Sequence, residues 1–291
     1  MNDDIIICDS ILGEALRGFT YIGSKKKYLE WLYSNFPREF ASFWDVCAGS
    51  GSVSLSMNPP LYNGKIANVN LNDYDPTIYN YFNTLKGSRG GELEKRLFNL
   101  KYSKANWTIA HKELTYFPLL DKVDAAVYTY LEIVNSFSSM RESYVRKEEK
   151  SLKRAVEKNI PKVRKKLQHI AVTNYDFIDI LDKLVDDTEA FVYIDVPYRM
   201  VYRCGRQLYK VELSEYQHFQ MLEILRIARF KWALSGYGAE NIEDTNSLYD
   251  VLLSDFKQYR KMCPVHKLCA GVKRGGKKTK VNEVLWRNYN N

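Results

Sequence analysis

A short apolar run, Ser42-Phe-Trp-Asp-Val-Cys, passes through Ala48 into Gly49-Ser-Gly51-Ser-Val, a glycine turn that opens a helix. About twenty residues later, Lys65-Ile-Ala-Asn-Val-Asn-Leu-Asn-Asp reads as a second strand that ends on an acid, Asp73. Strand, glycine turn, helix and acid-ended strand in that order form the first half of a doubly wound nucleoside-binding sheet. The turn lacks the third glycine of a dinucleotide fingerprint, which suits a nucleoside without a pyrophosphate. At the second strand end, Asp73 can accept hydrogen bonds from both hydroxyls of a ribose, and Tyr74 can lie against an adenine ring.

The strand pattern returns at Ile170-Ala-Val-Thr-Asn, Ala190-Phe-Val-Tyr-Ile-Asp and Phe230-Lys-Trp-Ala-Leu-Ser, with a helix from Ser214 to Arg229 between the last two. A final strand is expected at Val284-Leu-Trp, after the basic glycine loop Cys269 to Lys280. A helix from Pro76 to Lys86 is followed by the breaker Gly87-Ser-Arg-Gly-Gly and a mostly helical stretch reaching His169. The expected fold is therefore α/β, a doubly wound Rossmann-like sheet built from residues 1–86 and 170–291, with residues 87–169 as an inserted helical lobe. A chain of 291 residues suits one such domain with an insertion.

Charge matters because of where it lies. Between Arg141 and Gln168 stand eleven Lys or Arg against four Glu, which is all but one unit of the net charge of +8. Such a run is either a solvated helix face or a surface for a polyanion. No stretch of about 18 apolar residues occurs, and the start is acidic and then briefly apolar, so neither a membrane span nor a signal peptide is expected and the cytoplasm is the expected location. The five scattered cysteines read as free thiols. A monomer is the default expectation.

The chemistry concentrates in Phe191-Val-Tyr-Ile-Asp195-Val196-Pro197-Tyr198, at a strand end where doubly wound sheets meet their ligands. An aromatic amine is a poor nucleophile because its lone pair is delocalised into the ring. A carboxylate and a backbone carbonyl that accept its two N–H bonds favour the pyramidal form and stabilise the charge that develops as the amine is alkylated. Asp195 and the carbonyl of Val196 suit those roles, and Tyr198 can stack on an aromatic ring, while the tetrapeptide by itself reads equally as a plain strand-ending turn. Neither a metal nor a covalent intermediate is required.

Phe19-Thr-Tyr-Ile-Gly-Ser-Lys-Lys-Lys, Asp45-Val-Cys-Ala-Gly-Ser-Gly-Ser-Val and Asn72-Asp-Tyr-Asp-Pro, in that order, resemble the cofactor motifs of Dam-type DNA adenine-N6 methyltransferases. The resemblance extends to Asn174-Tyr-Asp176-Phe177 and to the closing segment Lys277 to Tyr289. It implies S-adenosylmethionine as cofactor, with Tyr21, Gly23 and Lys25 near the methionine end, and Asp45, Ala48 and Gly49 at the centre. Asp73 would hold the ribose, Tyr74 would lie by the ring, Asp176 would meet the adenine amino group and Phe177 would stack on the ring. The family pattern is Asp-Pro-Pro-Tyr, and here Val196 replaces the first proline, which removes a fixed φ from the residue whose carbonyl must be placed. That departure leaves a binding protein with weakened or lost catalysis as the alternative, and the tetrapeptide alone leaves cytosine N4 and RNA amines open as targets.

The resemblance implies double-stranded DNA as partner, met by residues 87–169. Phosphates would fall to several of Arg141, Arg146, Lys147, Lys150, Lys153, Arg154, Lys162, Arg164, Lys165 and Lys166. Arg141 would read a guanine or bind phosphate. Arg199 and Arg206, in the basic aromatic segment after the catalytic turn, and Lys277, in the glycine loop, complete the expected DNA contacts. Cys263-Pro-Val-His266-Lys-Leu-Cys269 fits no usual zinc spacing, and no Pro-Cys step offers the nucleophile of a cytosine-C5 enzyme.

Overall fold

The computed structural model describes residues 10–200, 207–238, 248–263 and 281–290, with residues 259–263 and 281–282 as backbone alone. The strands are β1 (Ser42–Asp45), β2 (Leu61–Tyr62), β3 (Lys65–Ile66), β4 (Asn68–Asn72), β5 (Ile170–Thr173), β6 (Ala190–Ile194), β7 (Lys231–Tyr237), β8 (Lys257–Cys263) and β9 (Val281–Arg287). Seven of them form one sheet in the order β5-β4-β1-β6-β7-β9-β8, and β2 and β3 form a separate hairpin. Neighbours from β5 to β7 pair in parallel, and β9 runs antiparallel to both β7 and β8. The chain winds from β1 outward to β4 and β5, then returns to β6 on the other side of β1. The order reverses there, so the carboxyl ends of β1, β4 and β6 frame a crevice.

Register brings the acids together at that edge. Asp45 of β1 stands opposite Leu71 and Tyr193, so Asp73 and Asp195, the first residues beyond Asn72 and Ile194, emerge on either side of it. β6 is buried throughout, as a central parallel strand must be. Alternation along the strands then builds two cores. One face carries Phe43 and Phe191 with Phe36 and Phe40, and the other carries Val192, Ile194, Trp232 and Trp286.

The helices are α1 (Leu29–Asn35), α2 (Ser52–Ser56), α3 (Pro76–Lys86), α4 (Gly90–Asn99), α5 (Lys104–Glu113), α6 (Lys122–Val134), α7 (Glu149–Leu167), α8 (Phe177–Leu184), α9 (Glu215–Ile227) and α10 (Leu248–Leu252). α3 starts where Asp75 accepts from the Thr77 backbone N–H at 2.8 Å, with Pro76 in the first turn. A capping box of Ser214 and Gln217 starts α9. Caps of this kind contribute about 1 kcal/mol each. Leu93, Leu97, Leu131, Val156, Ile160 and Val163 of the 87–169 stretch share a single apolar cluster with Phe43, Val69 and Leu71 of the sheet. These helices are thus built onto the sheet and carry no separate core.

Two expectations are refined. The strand expected from Lys65 to Asp73 is interrupted at Ala67, because Lys65 and Ile66 pair back onto β2. α8 and β8 arise where no strong periodic signal was read. Among the described residues no helix is long and apolar enough to cross a membrane.

Candidate active site

A cleft opens at the carboxyl edge of the sheet, lined by Tyr21, Cys47, Gly49, Asp73, Tyr74, Asp176, Phe177, Asp195, Pro197 and Tyr209 among others. A narrower extension runs past Gly23, Lys25, Asp45 and Ala48. The turn after β1 is left-handed at Gly49 (φ 51°), and a Cβ there would stand 2.9 Å from the Tyr21 ring, so glycine is required by conformation and contact alike. The Gly49 N–H donates to Asp73 Oδ2 at 2.7 Å and the Asp75 N–H to Oδ1 at 2.9 Å, which aims the carboxylate into the cleft mouth. Burial pushes Asp73 up to about 7, with Asp75 adding to the rise and the two N–H bonds opposing it. Asp45 is also raised to about 7 by burial, and its carboxylate accepts from the Ser54 N–H at 3.2 Å, so it faces the start of α2 as well as the extension.

Asp176 caps α8 by accepting from the Ile178 N–H at 2.9 Å, and the next residue, Phe177, turns its ring into the apolar wall. The Asn174 side chain donates to the carbonyls of Asp73 and Tyr74 at 2.7 and 3.0 Å, tying this wall to the end of β4. The Tyr21-Ile-Gly-Ser-Lys segment is a left-handed turn at Gly23 followed by a 3₁₀ turn, and Ser24 makes no side-chain capping bond. Its hydroxyl lies 3.0 Å from that of Ser50. Burial first, then the surrounding carboxylates, push the Cys47 thiol well up, so it is a neutral wall and no nucleophile.

Across the cleft, Lys25 donates to Asp195 Oδ1 at 2.6 Å and stands 3.3 Å from Glu283 of β9. The Tyr198 hydroxyl donates to Glu283, and its ring meets Tyr237 edge-on at 4.6 Å. Only 8% of Tyr198 is exposed, so in this state its face is turned into the protein. Burial raises both Asp195 and Glu283, and Lys25 pulls both back down. Val196 is 2% exposed and packs in the apolar cluster with Val46, Phe177 and Ile194.

The expected DNA contacts separate. Arg141 is buried, donating to Glu132 at 2.5 Å and to Asp75 at 2.8 Å, because two buried carboxylates claim it. It sits in a turn where Ser138, Ser139 and Arg141 are all left-handed, and in this state its guanidinium braces the Asp75 cap rather than the surface. Arg199 is held by Glu215 at 2.6 Å. Arg146 is exposed and Lys147 half-buried. In α7, Lys153 pairs with Glu149, Lys162 with Glu14 and Arg164 with Glu94. Helix α7 is about 28 Å long at 1.5 Å per residue, and it ends just before β5 begins. Lys162, Arg164, Lys165 and Lys166 therefore lie toward the sheet edge opposite the cleft. Arg206 and Lys277 fall outside the described residues, as do His266 and Cys269. Among the described residues no cluster of His, Cys, Asp or Glu could hold a metal ion. Reading by sequence missed Glu132, Tyr209 and Glu283, which come together only through the tertiary fold.

A mostly parallel seven-stranded sheet with β9 reversed near its edge, cleft by acids at the ends of β1, β4 and β6, defines a Rossmann-like methyltransferase. The match can be narrowed. The family model of the D12 class N6 adenine-specific DNA methyltransferases covers residues 21–261, and the chain belongs to that family. No curated protein sequence matches it significantly.

Proposed function

We propose that this chain transfers a methyl group from S-adenosylmethionine to N6 of an adenine turned out of double-stranded DNA. The observation that carries the reading is that Asp195 opens onto the same cleft as Asp73, Asp176 and Phe177, so an amine held by the first would face a donor held by the others. The lining fits a nucleoside that carries positive charge and no phosphate. Lys25 is the one basic side chain among its described lining residues, and Asp195 and Glu283 already neutralise it. Asp73 would hold the ribose, Tyr74 and Phe177 the adenine ring, and Asp176 its amino group. Tyr21, Gly23, Lys25, Asp45, Ala48 and Gly49 would enclose the remainder. When bound, the cofactor supplies an electrophilic methyl group.

Asp195 and the Val196 carbonyl accept the two N–H bonds of the target amine, draw its lone pair out of the ring and oppose the positive charge that follows. The proton released afterwards passes to Asp195. Pro197 walls the cleft, and a turn of Tyr198 away from Tyr237 gives the base an aromatic face. Residues 87–169 serve as the DNA-recognition lobe, with Arg146, Lys147 and Lys150 at the cleft end of the basic stretch meeting phosphates. Incubation with labelled cofactor and mixed-sequence duplex, followed by nucleoside analysis, is expected to yield N6-methyladenine. Label in cytosine, or none, would overturn the reading.

Two further outcomes follow. Cofactor affinity, measured by calorimetry, is expected to rise as pH is raised from 6 to 8, because Asp73 titrates near 7 and the ionised carboxylate accepts from the ribose hydroxyls. Asp73→Asn is expected to weaken binding about tenfold and to reduce that pH dependence, leaving the part that Asp45, also raised to about 7, contributes. Because core packing rather than a ring holds Val196, Val196→Pro is expected to change the transfer rate by less than about threefold. A rise of about 100-fold would show that packing does not fix the carbonyl.

A further inference from the structure

Glu283 is a buried charge beside the cleft with no place in the reaction described above. Strand β9 is otherwise a core strand: Val284, Leu285 and Trp286 are fully buried. Replacing the whole cluster of Lys25, Asp195 and Glu283 by apolar side chains would serve the fold at least as well, since a buried ion pair seldom stabilises more than the apolar side chains that could replace it. The reversed direction of β9 gives the residue its position. Glu283 pairs with Tyr237, the last residue of β7, so the start of β9 reaches the edge where the parallel strands end. From there its carboxylate takes the Tyr198 hydroxyl and stands 3.3 Å from Lys25, whose other ion pair is with Asp195. Among the described residues, the titratable groups facing it are Lys25, Asp195 and Tyr198, together with Tyr193 of β6 and Tyr237 of β7.

We propose that Glu283 is a positioning residue for methyl transfer: it shares Lys25 with Asp195, so that Asp195 keeps its strength as an acceptor for the amine. The inference rests on the adenine reading of the cleft. With Glu283 ionised, two carboxylates share one ammonium and the cluster keeps one net negative charge, which opposes the positive charge forming on the amine. With Glu283 neutral, Lys25 serves Asp195 alone, and the amine must compete with an ion pair for the same carboxylate. The cluster thus does more than bury a lysine.

Glu283→Gln keeps the shape and a hydrogen-bond acceptor for Tyr198 but removes the charge. In single-turnover transfer to duplex DNA, its rate is expected to fall about tenfold, with cofactor and DNA affinities within about twofold of wild type. The acid limb of its rate profile is expected to move to lower pH, because Asp195 loses a neighbouring negative charge and is then protonated less readily. Glu283→Asp keeps the charge and is expected to keep the wild-type limb. An unchanged rate and limb in Glu283→Gln would overturn the proposal, as would a rate loss with an unmoved limb, which is the mark of packing alone. Should Glu283→Gln fail to fold, a displaced limb in Glu283→Asp would overturn it and a retained limb would support it. Absence of adenine methylation by the wild-type protein would remove the underlying reading, and Glu283's role with it.

Discussion

Asp195→Asn is expected to lower the single-turnover rate of methyl transfer by about 100-fold or more, while cofactor affinity stays within about threefold. The amide keeps one acceptor oxygen and nearly the same volume, so the cleft should retain its shape. In the proposed reaction, what disappears is the negative charge opposite the developing positive charge on the amine, an interaction stronger in the transition state than in the ground state. Asp195 is 18% exposed and opens on the cleft, so the loss should fall on the rate and not on folding. Lys25 keeps Glu283 as a partner in the variant. A wild-type rate in Asp195→Asn would reduce Asp195-Val-Pro-Tyr198 to a strand-ending turn.

The second large effect is on stability. Arg141→Ala removes the shared cation from Asp75 and Glu132, whose side chains are only 6% and 5% exposed. Leaving buried carboxylates without their partner costs about 3 to 5 kcal/mol. At roughly 2–4 °C per kcal/mol for a domain near this size, the thermal midpoint should drop by about 6 to 20 °C. Cofactor affinity should fall with it, since Asp75 caps α3 and its backbone N–H holds Asp73. A surface arginine used only for DNA would instead shift stability by about 0.5 kcal/mol or less and show its loss in DNA binding alone. Thermal melting therefore separates the two roles without any substrate.

Arg141 also shows where sequence reading stops. Its partners lie 9 and 66 residues away in the chain, and nothing local distinguishes a buried arginine from the ten Lys or Arg that follow it up to Lys166. Asp73 and Asp195 were legible because each ends a short apolar strand, and strand ends are where such sheets meet ligands. Gly49 was legible for the same local reason. Glu283 was hidden because it resembled one more residue of a closing strand, and only the antiparallel pairing with β7 carries it to the cleft. Strand β8, Lys257-Gln-Tyr-Arg-Lys-Met-Cys, has no apolar alternation in its sequence to announce it. In α7 the sequence showed how much positive charge there is but not its direction, which depends on where β5 begins.

Under the proposed role of residues 87–169 in DNA recognition, the common core of the helical stretch and the sheet bears on how the choice of site could be altered. Leu93, Leu131, Ile160 and Val163 interlock with Phe43, Val69 and Leu71, so residues 87–169 cannot be lifted out and exchanged as a cassette without opening the interior beneath the first two strands of the nucleoside half. Grafting that segment from another methyltransferase should yield insoluble protein rather than new specificity. Variation that the interior tolerates is confined to exposed side chains on the outer helix faces and connecting turns, where libraries for altered recognition should be placed.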